Sequence, residues 1–305
     1  MSRGLDNLKQ QYIGRFAPSP TGSLHFGSIL AALASYLDAK RNNGLWLLRI
    51  DDLDTPRLEP GADARILAGL EKLGMQWDGD VLYQSQRHEA YSDAINQLKS
   101  KELLYNCHCT RKLVAGKPYS GTCSQLSLGT ERQYAVRVKT EAEPCILHDL
   151  IQPDFKQNLN KDVGDFIVKR SDGLYAYHLA VVLDDAYQQI SHIIRGADLM
   201  DSTPRQIYLQ KMLGLKTPLY AHFPVATDLY GAKISKQFGA IDVLSTNQPT
   251  AILFNALNFL NQKPDSNLLG ATVDDVIQWG RENWILSNVP KLPAIIAPEE
   301  FLSQK

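Results

Sequence analysis

Residues 15–28 read Arg15-Phe16-Ala17-Pro18-Ser19-Pro20-Thr21-Gly22-Ser23-Leu24-His25-Phe26-Gly27-Ser28, an order that prescribes a strand end, a stiff loop and a helix start. Two prolines and Gly22 exclude both helix and ladder between residues 17 and 22. Upstream, Tyr12 to Phe16 is a short strand-like run. Downstream, Phe26, Ile29, Leu30, Leu33, Tyr36 and Leu37 recur at the i, i+3, i+4, i+7 spacing that buries one helix face, ending near Asn42-Asn43-Gly44. Leu45 to Ile50 is then nearly continuous in apolar character, the pattern of a strand covered on both faces as in a parallel sheet. The loop in this strand–helix–strand unit leads to a helix N-terminus, where unpaired N–H groups and the helix dipole attract anions. His25 can donate to a phosphate oxygen there, and Gly27 lets a nucleotide approach the backbone closely. The bland alternative is a proline-rich connector with a capping histidine.

Working outward, Asp51-Asp52-Leu53-Asp54-Thr55-Pro56-Arg57 lies at the end of the second strand, and open α/β sheets bind ligands at the carboxyl ends of their strands. Helices are expected over about 61–73 and 87–101, after which the pattern breaks. Residues 103–165 read as an insertion in which Tyr134 to Val138 alternates as a strand. The sheet is expected to resume at Asp165 to Arg170, followed by a turn at Ser171-Asp172-Gly173, a helix near 176–186 and a strand near 190–194. Thr203-Pro204 is expected to serve as N-cap and first turn of the next helix. Helical spacing returns at 252–260 and 273–279. The expected fold is α/β with a parallel sheet, divided into 1–102 (first half of the catalytic domain), 103–165 (insertion), 166–236 (second half) and 237–305 (helical C-terminal region).

Of the 305 residues, 44% are hydrophobic and 21% charged, which places the chain among ordered globular proteins. A formal net charge of −1 excludes attraction to a polyanion through net charge, so a nucleic-acid partner must be met by a local basic face. There is no run of about 18 apolar residues, and the polar stretch from Met1 to Tyr12 lacks a signal-peptide core. The expectation is a cytoplasmic protein with no membrane partner, and a monomer. Three of the four cysteines, Cys107, Cys109 and Cys123, share one short stretch with His108, which in a reducing compartment favours a metal over a disulfide. Cys145 stands apart and reads as a buried small side chain.

A second polar segment, Lys233-Ile234-Ser235-Lys236-Gln237 after Tyr230-Gly231, would by itself pass for solvated surface lysines. Taken with the first, it resembles the paired signatures of class I aminoacyl-tRNA synthetases, one after the first strand and one after the last. The first block, with Arg49-Ile50-Asp51-Asp52-Leu53-Asp54 and Arg195-Gly196-Ala197-Asp198-Leu199, is similar to the glutamyl/glutaminyl branch. The short chain and the Cys107-His108-Cys109 arm narrow the resemblance to the glutamyl-queuosine aspartate-tRNA synthetases. These resemble a glutamyl-tRNA synthetase core with a Rossmann-like nucleotide-binding fold, without the anticodon-binding domain.

That resemblance implies activation of L-glutamate by ATP with Mg²⁺, then transfer to queuosine in the anticodon loop of tRNA(Asp). It places Arg15, Ala17, Ser19, Asp51, Tyr177 and Arg195 around glutamate, His25, Gly27, Lys233 and Lys236 at ATP, and makes His25 and Lys236 the catalytic pair. It also implies a structural zinc held by Cys107, Cys109, Tyr119 and Cys123. From the residues alone, Cys-x-Cys with a third cysteine after 13 further residues gives three thiolates, and tetrahedral zinc needs a fourth ligand. Tyr119, His108 or water can supply it, or the thiols are simply free. In an extended segment His108 points away from its neighbours, which leans toward Tyr119.

Two arginines suit two carboxylates and Asp51 suits an α-ammonium. Asp51 stands where the superfamily commonly has glutamate, one methylene longer; Ser28 and Gln237 depart from the last positions of the two signatures. Only 69 residues follow Lys236, which is expected to be too few to grip an anticodon and an acceptor stem at once. Two other readings remain at this point. One is a truncated enzyme charging tRNA 3′ ends; the other is a zinc-containing RNA-binding relative without activity.

Overall fold

The computed structural model describes residues 11–114, 116–126, 128–129, 131–234 and 243–301. β1 (Ile13–Phe16) leads through the proline loop into α1 (Phe26–Arg41), and the chain returns as β2 (Leu45–Ile50). Nothing between Phe26 and Arg41 interrupts a helix, and Lys40 and Arg41 suit the negative end of its dipole. The helix stops at Asn42 and Asn43; a φ of 52° at Asn43 is one that a short polar side chain tolerates. Then come α2 (Ala62–Lys72), β3 (Leu82–Tyr83) and α3 (His88–Ser100). The three strands pair in parallel, Ile13 opposite Leu45 and Arg49 opposite Leu82.

The insertion comprises β4 (Leu104–Cys107), α4 (Arg111–Val114), β5 (Ala135–Val138), β6 (Cys145–Leu147), β7 (Phe155–Gln157) and α5 (Leu159–Asp162), and is followed by β8 (Phe166–Lys169). β6 and β7 form an antiparallel pair. The strand expected at 165–170 exists as β8 but does not resume the parallel sheet. It pairs antiparallel with β5, which pairs antiparallel with β4, so the sheet of the insertion extends to Lys169. The reason is visible in its pattern: Phe166 and Val168 are buried while Ile167 and Lys169 are half-buried, the alternation of a strand covered mainly on one face.

The parallel sheet resumes through α6 (Tyr177–Tyr187), β9 (His192–Gly196), α7 (Thr203–Leu213) and β10 (Leu219–Phe223). β9 and β10 are parallel, with Leu219 opposite His192. β9 flanks β1, since Ser191 N donates to Ile13 O at 2.9 Å and Ile13 N to Ser191 Oγ at 2.8 Å. The order across the molecule is therefore β3-β2-β1-β9-β10, and the winding reverses between β1 and β9. That reversal opens a crevice at the carboxyl ends of the two strands. Thr203 does not cap α7. It lies inside the helical region (φ −60°, ψ −43°), and its hydroxyl accepts from Arg195 Nη2 at 2.7 Å.

β11 (Val225–Thr227), α8 (Pro249–Phe259), α9 (Val273–Asn283) and β12 (Ala294–Ile296) complete the chain. The C-terminal region is thus not wholly helical: β12 pairs in parallel with β11, Val225 opposite Ala294. α8 and α9 cover α1. Phe26 stacks on Phe301 at 4.1 Å and meets Phe259 edge-on at 5.7 Å, and Trp284 Nε1 donates to Asp38 Oδ1 at 2.8 Å. Phe26, Ile29, Leu30 and Leu37 are fully buried between sheet and C-terminal helices, each contributing about 1.5–3 kcal/mol. The N-terminus of α1 is thereby clamped at the crevice. Among the described residues no helix is long and apolar enough to cross a membrane.

Candidate active site

The ends of β1, β2 and β9 and the N-termini of α1 and α6 surround a cleft of about 440 Å³. Arg15, Ala17, Ser19, His25, Gly27, Asp51, Tyr177, Arg195 and Lys233, all singled out from sequence, line it together. Lys236 lies outside the described residues. The proline loop is fixed from below: Asp51 N donates to Pro18 O at 2.9 Å and Glu59 N to Pro20 O at 3.0 Å. His25 is the N-cap of α1 in extended conformation, and its Nδ1 accepts from Ser28 N at 3.3 Å. In the neutral ring the proton then sits on Nε2, which makes that nitrogen the donor. Gly27 keeps that ring in place, because a Cβ at position 27 would lie 3.1 Å from His25 Cε1.

Beneath the loop lies a buried ionic chain. Arg15 Nε meets Asp185 Oδ1 at 3.2 Å, Arg49 Nη1 meets the same oxygen at 2.6 Å, and Arg49 Nε meets Asp51 Oδ1 at 2.7 Å. Burial opposes the charge of Asp185, yet Arg15 and Arg49 hold its carboxyl below the usual carboxylate range. Burial lifts the Asp51 carboxyl above that range, against the pull of Arg49 and Arg15. Arg49 stays firmly protonated despite burial because Asp51 and Asp185 flank it. Two arginines and two aspartates cancel here. Arg195 instead rests on neutral acceptors, His222 Nε2, Thr203 Oγ1, Gln206 Oε1 and Leu199 O. Arg195 thus has no direct carboxylate partner among the described residues. At the rim Lys233 Nζ pairs with Asp198 in a half-exposed position, and the neighbouring Ile234 is buried in the core.

The cysteine arm forms a separate cluster. The sulfurs of Cys107, Cys109 and Cys123 all lie within 4.8 Å of one another. Tyr119 Oη is 3.4 Å from the sulfurs of both Cys107 and Cys109. Zinc–sulfur bonds of about 2.3 Å in a tetrahedron place sulfurs ~3.8 Å apart, so this donor set fits one zinc ion. Burial and hydrogen bonds to the three thiols hold the Tyr119 phenol far above its ordinary pKa, so ligation would require a metal to displace its proton. Arg137, 3.2 Å from Cys107 Sγ and stacked 4.0 Å over the Tyr119 ring, would balance thiolate charge. His108 faces the Tyr134 ring, 6.3 Å between centroids, and is not among the clustered ligand atoms.

Residues 13–265 match the family model described as tRNA synthetases class I (E and Q), catalytic domain. A protein of Pseudomonas fluorescens described as glutamyl-Q tRNA(Asp) synthetase is 48% identical over 300 residues, covering 97% of this chain and 99% of the relative. The chain belongs to the glutamyl-Q tRNA(Asp) synthetase family. Two solved structures are similar to it. A glutamate–tRNA synthetase from Elizabethkingia anophelis has a TM-score of 0.78 at 27% identity, covering 95% of this chain and 69% of that one. A glutamate tRNA ligase from Elizabethkingia meningosepticum, solved in complex with its amino acid, has a TM-score of 0.77 at 26% identity, covering 95% and 68%.

In this member of the glutamyl-Q tRNA(Asp) synthetase family, Arg15, His25, Asp51, Tyr177 and Arg195 are the converging parts of one cleft. Sequence reading missed the residues that hold those parts: Asp184, Asp185, Gln206, His222 and Asp149. A signal was present for some of them, a charged or polar residue interrupting an apolar run, as Asp184-Asp185 does in α6 and His222 in β10. What no pattern supplies is the partner. Asp184, for example, accepts from Gln84 Nε2 at 2.9 Å, Arg87 Nε at 3.1 Å and Tyr91 Oη at 2.6 Å, three residues about a hundred positions away.

Proposed function

We propose that this chain activates L-glutamate with ATP and transfers the glutamyl group to the cis-diol of queuosine at the wobble position of tRNA(Asp). In the first step a glutamate α-carboxylate oxygen attacks the α-phosphorus of ATP, and the bond to pyrophosphate breaks. In the second a diol hydroxyl attacks the carbonyl carbon of the mixed anhydride, AMP leaves with the bonding pair, and the hydroxyl proton is released. No covalent protein nucleophile is needed; positioning and charge stabilisation carry both steps. Arg15 and Arg195 take carboxylates, Asp51 takes the ammonium, and Ala17, Ser19 and Tyr177 shape the amino-acid end. His25, Gly27, Lys233 and Lys236 serve ATP with its Mg²⁺, and His25 and Lys236 bear on the leaving pyrophosphate.

The observation that carries this reading is the convergence of Arg15, His25, Asp51, Tyr177 and Arg195 on one cleft at the winding reversal of the sheet. The queuosine acceptor is supported by the name of the 48% identical relative, which the alignment covers almost end to end. Cys107, Cys109, Tyr119 and Cys123 would hold a structural zinc in the arm. In this reading the catalytic domain is divided between residues 1–102 and the segment after β8, through Lys236. The enzyme works as a cytoplasmic monomer.

Labelled glutamate and ATP, incubated with tRNA(Asp) carrying or lacking queuosine, test the proposal. Label is expected only on the queuosine-containing tRNA. Equal labelling of both, or label that leaves with the terminal adenosine, would establish 3′-end charging instead. Absence of glutamate-dependent ATP–pyrophosphate exchange, with and without tRNA, would leave a binding protein rather than an enzyme.

A further inference from the structure

Arg195 is held in an unusual way for a buried arginine. Its Nε donates to His222 Nε2 at 3.1 Å, and its Nη2 donates to Thr203 Oγ1 at 2.7 Å, Gln206 Oε1 at 2.8 Å and Leu199 O at 3.5 Å. Its Nη1 is buried in a cleft-lining residue and has no hydrogen-bond partner among the described residues. Behind it, His222 Nδ1 meets Asp149 Oδ2 at 2.5 Å, and both side chains are wholly buried. The other oxygen, Asp149 Oδ1, accepts three backbone N–H groups, from Ile151 at 3.0 Å, Gln152 at 2.8 Å and His222 at 3.1 Å. Arginine can only donate, and a neutral imidazole carries one proton. Nε2 is therefore the acceptor and Nδ1 carries the proton, which it donates to Asp149.

We propose that Asp149 and His222 are positioning residues of the amino-acid site: Asp149 fixes the imidazole tautomer that gives Arg195 Nε its acceptor, and this turns Nη1 toward a substrate carboxylate. The inference rests on the reading of the cleft as the glutamate site with Arg195 as a carboxylate ligand. The arrangement has a consequence for specificity. A direct carboxylate neighbour could chelate the guanidinium and occupy its donors, whereas the interposed neutral ring engages Nε alone and leaves Nη1 for the substrate. Burial keeps His222 below the usual imidazole range, outweighing Asp149 with the help of Arg195, so the ring stays neutral at physiological pH. Asp149 reaches the site from the insertion, where a bridge to Tyr220 and the bond from Leu150 N to Tyr220 O at 2.9 Å dock its segment on β10.

Asp149→Asn is the discriminating variant because it keeps shape and reverses logic. The three backbone donors at Oδ1 select the amide oxygen for that place, so the NH₂ group faces His222 Nδ1. Nδ1 must then accept and Nε2 must carry the proton, which opposes Arg195 Nε–H. Glutamate KM in ATP–pyrophosphate exchange is expected to rise about 10- to 100-fold, with ATP KM changing by less than about twofold. Nitrogen NMR of the His222 ring should show the proton moved from Nδ1 to Nε2. His222→Leu should raise glutamate KM similarly, while His222→Gln, whose Oε1 can take the place of Nε2, should restore most of it.

Unchanged glutamate KM in Asp149→Asn, or a ring proton that stays on Nδ1, would overturn the positioning role. So would parallel losses in both KM values and in thermal stability without rescue by His222→Gln, the mark of a purely structural pair. Arg195→Ala, measured alongside, separates the two levels of the argument. If it leaves glutamate KM unchanged, the reading of the cleft fails and the proposal falls with it. If it raises glutamate KM while the Asp149 and His222 variants do not, only the positioning role fails.

Discussion

A single methyl group at Gly164 should loosen the cysteine arm while leaving the cleft intact. Gly164 has φ +73°, and a Cβ there would lie 2.2 Å from both the backbone N and O of Tyr119. Both atoms are backbone, so Gly164→Ala must push the two segments apart. Two hydrogen bonds flank the contact and would be lost: Tyr119 N to Val163 O and Asp165 N to Tyr119 O, each 3.2 Å. The left-handed backbone costs alanine about 1 kcal/mol more than glycine, and each hydrogen bond contributes about 1 kcal/mol, giving about 3 kcal/mol in all. At 1.4 kcal/mol per tenfold, the opened arm becomes about 100-fold more populated. Tyr119 is the proposed fourth zinc ligand, so zinc release to a colorimetric chelator should accelerate by about two orders of magnitude. Glutamate-dependent ATP–pyrophosphate exchange should stay within about twofold, and Cys107→Ala, which removes a ligand outright, should abolish stoichiometric zinc. Release from Gly164→Ala within about threefold of wild type, less than 1 kcal/mol, would refute the coupling between this glycine and the metal knot.

Three further outcomes are expected. Lys236→Ala should lose most of the ATP–pyrophosphate exchange with an unchanged circular dichroism spectrum; unaltered exchange would remove Lys236 from the mechanism. Glutamate KM should rise as pH falls through the pKa of Asp51, because only the ionised carboxylate attracts the α-ammonium, and burial places that pKa above the ordinary range. The rise should therefore begin at higher pH than a solvated carboxylate would give, and an identical profile in Asp51→Asn would assign it to another group. Asp185, whose folded pKa is depressed, contributes stability that is present at neutral pH and lost as pH falls through the acid range. Asp185→Asn should cost about 3–5 kcal/mol in urea unfolding at pH 7, with Arg15 and Arg49 left without their shared counter-charge, and less at low pH. A pH-independent difference would contradict that account.

The local alphabet of this protein is legible along the chain. The proline loop, the apolar spacing of α1 and the continuous apolar run of β2 place a helix start at the end of a parallel strand, because each is fixed by sterics and burial within a few residues. The same locality explains the misplacement of β8, since four residues of strand carry no mark of which sheet they join; only pairing with β5 decides that. Pairing across distance also decides what the cleft can do. Arg15 meets Asp185 170 residues away, and Arg195 is aimed by His222 and, through it, by Asp149 from the insertion. Charge compensation depends on separations of about 3 Å in a medium that screens poorly, and residue order alone does not encode those separations. The sequence determined where the reactive types stand, and the tertiary structure alone decided which charges cancel and which are left for a substrate.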